Sequence, residues 1–186
     1  MRQMMMGALM ALMLNILMLN TAQAAAPELT LPDLEGRSHP LSEYIGHGKW
    51  VVMVFWMHDC KICANEIHHL QAFHVAHADK DAMVLGISID GADRVKDARR
   101  FVAKHKLTFP NLLTEPYFDA LEKFGGGKFL GTPTQYFYDP TGRLVARKIG
   151  PMPRADIEAF IDAFNTSTFA AEPRSSPGPH RDTGPK

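Results

Sequence analysis

The sequence predicts an α/β fold with a mixed central sheet, and three observations carry that prediction. The run from Trp50 to Trp56 is continuously apolar and rich in β-branched and aromatic residues, which is typical of a buried strand. A helical pattern follows it, with Cys63, Ile67, Leu70 and Phe73 spaced to form one apolar face. Further along, residues 139–142 (Asp-Pro-Thr-Gly) join two strands as a hairpin turn. Strands that alternate with helices and end in a hairpin favour a layered α/β architecture.

The other elements follow from the same periodicities. A second buried strand is expected over residues 82–89, closed by Asp90-Gly91, and the apolar positions from Val95 to His105 indicate a helix. In the N-terminal extension, residues 25–49, Glu35-Gly36 predicts a short hairpin. The remaining predictions are a short helix over 117–124, strands over 134–138 and 143–148, and a closing helix through 157–164.

The two ends of the chain differ from this pattern. Residues 4–19 are apolar apart from Asn15 and lead to Ala22-Gln23-Ala24, so we expect a signal peptide over 1–24 that is cleaved after Ala24. The alternative is an uncleaved N-terminal membrane anchor facing the periplasm. One globular domain is expected over 25–166, followed by a disordered, Pro- and Ser-rich tail over 167–186.

The charge balance excludes some partners. The 20 basic and 20 acidic residues cancel, and loss of residues 1–24 removes only Arg2. A near-neutral chain gives no electrostatic argument for nucleic acid or for an acidic membrane surface. We therefore expect an exported protein, a monomer, that acts on other proteins.

Cys60 and Cys63 are the only cysteines. A disulfide between them closes a very short loop and contributes little to stability, so the pair indicates chemistry, either redox exchange or metal binding. Cys60 falls at the predicted helix N-terminus, where unpaired N–H groups and the helix dipole favour a thiolate, the attacking species in disulfide exchange.

These motifs together resemble the thioredoxin fold: the strand ending at Trp56, the Cys60-x-x-Cys63 helix, and Gly131-Thr132-Pro133 ahead of a strand and a hairpin. The N-terminal extension, the inserted helical segment between residues 92 and 124, and Glu66 are similar to the exported TlpA/ResA-like branch. The resemblance covers roughly residues 27–165. It implies thiol–disulfide oxidoreductase activity in the periplasm, with no cofactor beyond a redox-active Cys60–Cys63 disulfide and no metal.

The resemblance also implies roles for single residues. Cys60 and Cys63 would be the catalytic pair, and Thr132–Pro133 would be a cis peptide lying against them. Thr132 would pair with an extended substrate through its free backbone groups. Four neighbours of the cysteines are also expected to contact substrate: Trp56, Asp59, Lys61 and Ile62. The family usually carries Trp where Asp59 stands, and a carboxylate there opposes the effects of Lys61 and the helix dipole on Cys60.

Glu66 is the expected proton acceptor. It lies three residues after Cys63, on the same helix face, and its spacing to Leu70 puts it on the apolar stripe. The acid that thioredoxins carry on the preceding strand is replaced by Val54, so Glu66 is the nearest candidate base for the Cys63 proton. The alternative is a solvated carboxylate that interacts only with the helix dipole.

Two other functions stay open at this point. Cys60, Cys63 and His58 could bind copper or zinc, as in a metallochaperone, with further histidines on the first helix. A peroxiredoxin-type peroxidase is a weaker alternative, since the Pro and Thr that precede the peroxidatic cysteine there do not occur here. We expect a reductant of specific exported proteins, served by a membrane thiol-transfer reductase, with apocytochrome c thiols as a plausible client.

Overall fold

The computed structural model describes residues 27–117 and 121–171. The predicted signal peptide and most of the predicted tail lie outside these residues, as do residues 118–120 of the helix predicted over 117–124. Within these two ranges, the helices and strands follow one another in this order: β1 (Thr30–Pro32), β2 (Ser38–Pro40), β3 (Trp50–Trp56), α1 (Lys61–His77), β4 (Ala82–Ser88), α2 (Val95–Lys104), β5 (Asn111–Leu113), β6 (Thr134–Tyr138), β7 (Leu144–Ile149) and α3 (Arg154–Ala171). Short 3-10 helices span Leu41–Glu43, Ala92–Arg94 and Glu122–Phe124.

The main sheet has five strands in the order β5-β4-β3-β6-β7. β3 and β5 both pair parallel to β4, whereas β6 runs antiparallel to β3 and to β7. The predicted mixed sheet is therefore confirmed, with β3 at its centre. The expected N-terminal hairpin is also present as the antiparallel pair β1-β2.

β3 is buried on both faces, which explains its unbroken apolar sequence. Trp50, Val52, Val54 and Trp56 contribute to a core shared with α1, α2 and α3. The alternate residues Val51, Met53 and Phe55 pack against the N-terminal segment and the residues around Phe124. Consecutive side chains of a strand point to opposite faces, so one strand serves both cores. The strand ends at Trp56, four residues before Cys60, so its C-terminal end positions the cysteine motif.

Several features of the fold differ from the sequence-based expectations. The inserted segment between residues 92 and 124 contains strand β5 as well as helices, because Asn111–Leu113 pairs with the C-terminal half of β4. α3 continues to Ala171, past the predicted start of the tail at residue 167. The first residues assigned to the tail from their composition are therefore the last residues of this helix. β4 ends at Ser88, one residue before the predicted end, and β7 starts at Leu144, one residue after the predicted start.

Candidate active site

Cys60 and Cys63 form a disulfide at the N-terminus of α1. Cys60 is the N-cap residue of the helix, and its sulfur accepts a hydrogen bond from the Cys63 backbone N–H at 3.1 Å. Cys60 is half-buried, whereas Cys63 is only 1% exposed. The more accessible cysteine is therefore the one whose sulfur accepts an N–H group of the first helical turn, where negative charge is favoured when the pair is reduced.

The loop before β6 lies against the pair. The Thr132–Pro133 bond is cis, as the resemblance implied. The Thr132 carbonyl oxygen lies 3.7 Å from Cys60 Sγ, and Pro133 is buried against the cavity that Cys63 lines. Sequence separation between these residues is large, so it is the β3-β6 pairing that brings the loop to the cysteines.

Glu66 and Cys63 line one small cavity together with Val54, Pro133 and Met152. The volume of this cavity is about 10 Å³, which is close to the minimum that holds a single water molecule. The Glu66 side chain is 27% exposed, and its carboxylate lies 3.9 Å from His69 Nε2. Glu66 is thus neither fully buried nor on the open surface: the residue borders the Cys63 cavity, and part of its side chain is in contact with solvent.

The predicted substrate contacts divide into two groups. Asp59, Lys61 and Ile62 are exposed around the disulfide, with Ile62 at 51%. Trp56 is a correction, because its side chain is fully buried and offers no surface to a substrate. Its indole N–H donates to Asn111 Oδ1 at 3.1 Å, and its ring stacks on Phe101. Trp56 supports the site from below.

Leu130 is an exposed apolar residue that sequence reasoning did not single out. It is 63% exposed and stands two residues before Thr132. Its loop begins with three consecutive glycines at positive φ, where a side chain is disfavoured. At Gly126 an added Cβ would lie 3.3 Å from both Tyr136 and Arg147. The glycine run therefore lets the loop turn closely over β6 and present Leu130 beside the cis peptide.

A histidine–aspartate pair lies immediately before the cysteines. Asp90 follows β4, its side chain is 1% exposed, and its Oδ1 lies 2.5 Å from His58 Nδ1. Its Oδ2 accepts hydrogen bonds from the His58 backbone N–H at 3.1 Å and from Ser88 Oγ at 2.6 Å. The sequence showed Asp90 only as a strand end; nothing in it linked Asp90 to His58. The pair fixes the turn that carries Cys60.

The same residues bear on metal binding. Ligand atoms of His58, Asp59 and Asp90 lie within 4.8 Å of one another. Both oxygens of Asp90 are already engaged by His58 and Ser88, so hydrogen bonding accounts for this group. The donor set expected for the metal alternative was Cys60, Cys63 and His58, but the sulfurs pair with each other and His58 Nδ1 faces Asp90.

Comparison with known proteins agrees with this geometry. A profile described as the AhpC/TSA family matches residues 22–147, more than half of the chain. The chain belongs to the AhpC/TSA family. Within the family it is a distant ResA/TlpA-like thiol–disulfide oxidoreductase, with Cys60 and Cys63 as its redox pair.

Two curated relatives illustrate the distance. The chain is 27% identical over 141 residues to the thiol-disulfide oxidoreductase ResA of Geobacillus thermodenitrificans, covering 76% of each protein. It is 28% identical over 138 residues to the thioredoxin-like protein YneN of Bacillus subtilis, covering 74% of this chain and 76% of that protein.

Solved structures give the same fold. A DsbF homologue from Corynebacterium diphtheriae superposes with a TM-score of 0.65 at 27% identity, covering 76% of this chain and 87% of that one. The exposed lipoprotein thioredoxin Etrx1 of Streptococcus pneumoniae gives a TM-score of 0.58 at 26% identity, covering 73% and 98%. Across the described ranges, no helix combines the length and apolar character needed to cross a membrane.

Proposed function

We propose that this chain is a periplasmic thiol–disulfide oxidoreductase that reduces disulfides of specific exported proteins. The observation that carries the proposal is the asymmetry of the pair: Cys60 is accessible and receives an N–H hydrogen bond, whereas Cys63 is 1% exposed behind it. An attacking thiol must reach its target, and a resolving thiol needs only to reach its neighbour.

The reaction starts from the reduced pair. The Cys60 thiolate attacks one sulfur of the substrate disulfide, forms a mixed disulfide and releases the other substrate sulfur as a thiolate. Cys63 loses its proton and attacks Cys60 Sγ, which forms the Cys60–Cys63 disulfide and releases the second substrate sulfur. The substrate is reduced by two electrons, and the enzyme pair is oxidised by two.

Glu66 serves the second step in this proposal. Glu66 and Cys63 line the same cavity, whose size is close to the minimum for a single water molecule. The proton of the Cys63 thiol passes to Glu66, directly or through that water, and Glu66 releases it on its solvent side. A general base is needed here because the thiol, not the thiolate, is favoured in an apolar enclosure.

The substrate segment lies across the cis-peptide loop. Thr132 presents its backbone carbonyl beside Cys60. Asp59, Lys61 and Ile62 are exposed next to the cysteines in the chain, and Leu130 is exposed two residues before Thr132. Pro133 carries no N–H and covers the buried side of the pair. Together these groups suit an extended peptide that pairs with Thr132 and rests apolar side chains on Ile62 and Leu130.

Cellular context belongs to the same proposal. The predicted signal peptide 1–24, followed by one domain and a Pro- and Ser-rich tail beyond α3, fits export to the periplasm as a monomer. A membrane thiol-transfer reductase would restore the reduced pair, and apocytochrome c thiols are a candidate client class. The name of one similar structure, Etrx1 of Streptococcus pneumoniae, refers to an exposed lipoprotein, which supports an exported setting.

The reduction potential of the pair tests the direction. Purified protein without residues 1–24 would be equilibrated with glutathione or dithiothreitol buffers, and the oxidised fraction read after acid trapping. A potential near or below that of thioredoxin, about −270 mV, supports a reductant. A value near that of the strong oxidant DsbA, about −120 mV, would contradict the proposed direction.

A further inference from the structure

A groove opens beside the cysteine pair, between the start of α1 and helix α2. Its volume is about 520 Å³, and His58 and Ala64 form the wall nearest the disulfide. The Ala64 backbone N–H donates to the Cys60 carbonyl at 3.0 Å, so the groove begins one helical turn from the attacking sulfur. A protein that presents its disulfide to Cys60 would therefore lie within reach of this groove.

The floor of the groove is aromatic. Phe101 stacks on Trp56 with ring centroids 4.6 Å apart. The ring of His105 is tilted against the ring of Phe101, with centroids 4.3 Å apart. Burial, and then the positive charge of Lys104, lower the pKa of His105. The imidazole is therefore neutral at neutral pH and belongs to the apolar floor.

The rim of the groove is basic. The segment 92–106, which contains α2, has six basic and two acidic residues in a chain whose overall formal charge is +0. Of these charged residues, Arg100, Lys104 and Asp97 line the groove. Asp97 is paired with both Arg94 and Arg100, so the charge of Lys104 is not balanced by an acid of the groove. Lys104 is exposed and forms no ion pair within residues 27–117 and 121–171.

The geometry points to a docking site for the disulfide-bearing partner: the groove binds an acidic segment of that protein, with one apolar side chain against the half-buried ring of His105 and its carboxylates on Lys104 and Arg100. This inference rests on the proposed function, because it assigns a recognition surface to the same reaction. Complementary charge of this kind accelerates encounter and selects partners more than it adds affinity. The exposed Asp59 next to Cys60 directs the acidic segment away from the sulfur and toward α2.

Two synthetic peptides would test the inference. Each contains one disulfide; one carries a flank of Glu residues around a Phe, and the other carries Gln in place of Glu. The second-order rate of their reduction by the reduced protein would be measured after acid quenching, at low and at high salt. We expect the Glu peptide to react about fivefold faster than the Gln peptide at low ionic strength, and the difference to vanish at about 1 M salt.

Substitutions that change the charge of single residues show where on the surface the preference for the Glu peptide arises. Lys104→Glu and, separately, Arg100→Gln should remove most of the preference for the Glu peptide and leave the Gln peptide unaffected. Lys80→Glu makes the same charge change on an exposed lysine just beyond the opposite end of α1, about 25 Å away at the rise of a helix, and should change neither rate. Both substituted side chains in the groove are exposed, and circular dichroism would verify folding.

The outcomes separate the two levels of inference. Equal rates for the two peptides, a preference that survives 1 M salt, or an equal response to Lys80→Glu and Lys104→Glu would overturn the docking site while leaving the oxidoreductase intact. If the reduced protein reduces neither peptide, the proposed function fails and the docking site fails with it.

Discussion

His58 Nδ1 lies 2.5 Å from Asp90 Oδ1, and the same aspartate also accepts the His58 backbone N–H. One buried carboxylate at the end of β4 therefore holds both the main chain and the side chain of a residue two positions before Cys60. The position of the attacking cysteine depends on the neighbouring strand as much as on its own helix.

Asp90→Asn is expected to destabilise the fold by about 1–3 kcal/mol, because an amide cannot accept all the hydrogen bonds that the buried carboxylate accepts. Urea unfolding of the oxidised protein measures this loss, and alkylation of Cys60 in the reduced protein measures the looser turn. Asp59→Asn, on an exposed neighbour, is the control and should change stability by less than about 0.5 kcal/mol. Equal effects of the two substitutions would contradict the role of Asp90.

Limiting iodoacetamide should label Cys60 before Cys63 in the reduced protein, because Cys63 is 1% exposed. Mass spectrometry of the tryptic peptides after short labelling times measures the order. Cys63→Ser should also accumulate mixed disulfides with client proteins, whereas Cys60→Ser should not. Preferential labelling of Cys63 would reverse the assignment of attacking and resolving thiols.

Glu66→Gln should leave the fold intact and slow the resolution of mixed disulfides about tenfold or more, because the Cys63 proton loses its acceptor. Single-turnover kinetics from pH 6 to pH 8.5 measure the resolving step. Glu35→Gln, which removes an exposed carboxylate on the N-terminal hairpin, should leave the rate unchanged. A resolution rate that is the same in wild type and Glu66→Gln at every pH would assign the proton transfer to water.

His77 links the end of α1 to α3 in a pH-dependent way. Burial lowers its pKa, but hydrogen bonds to Asp81 and Glu158 outweigh burial and raise the pKa above its ordinary value. The hydrogen bond from His77, with one from Arg154, lowers the pKa of Glu158. The contribution of His77 to stability is therefore complete below its unfolded-state pKa of about 6.5 and decreases as the pH rises through the folded value.

His77→Gln should consequently cost most near pH 6 and less at pH 8.5. The difference in unfolding free energy should be about 0.5 kcal/mol, since water screens this partly exposed cluster. Below about pH 4.5, protonation of Glu158 removes its share as well. Urea titrations at pH 6, at pH 8.5 and below pH 4.5 measure the effect, and the substitution His68→Gln at an exposed position is the control. A cost that increases above pH 7 would contradict the protonated pair.

Several elements of the fold could be predicted from short stretches of sequence alone. The apolar run of β3, the stripe of α1 and the hairpin turn at residues 139–142 each predict their element without reference to the rest of the chain. Strand β5 was missed because it has only three residues and exists through its pairing with β4.

The site required long-range information. Cys60 and Cys63 are only three positions apart in the sequence, so their disulfide could be anticipated. The partnership of His58 with Asp90 could not, because it depends on the register of β3 and β4. Trp56 was misassigned for the same reason: its burial depends on Phe101 and Asn111, which are distant in sequence.

The two tryptophans lie at opposite ends of β3, Trp50 bonded to Asn165 and Trp56 beneath the cysteine turn. The fluorescence of Trp56 can therefore report on the cysteine pair, whereas Trp50 lies at the far end of the strand. In a Trp50→Phe protein all indole emission would come from Trp56, whose ring is shielded from water and close to the disulfide. Opening and closing of the sulfur pair could then be followed in real time by emission intensity, with no label attached to either cysteine.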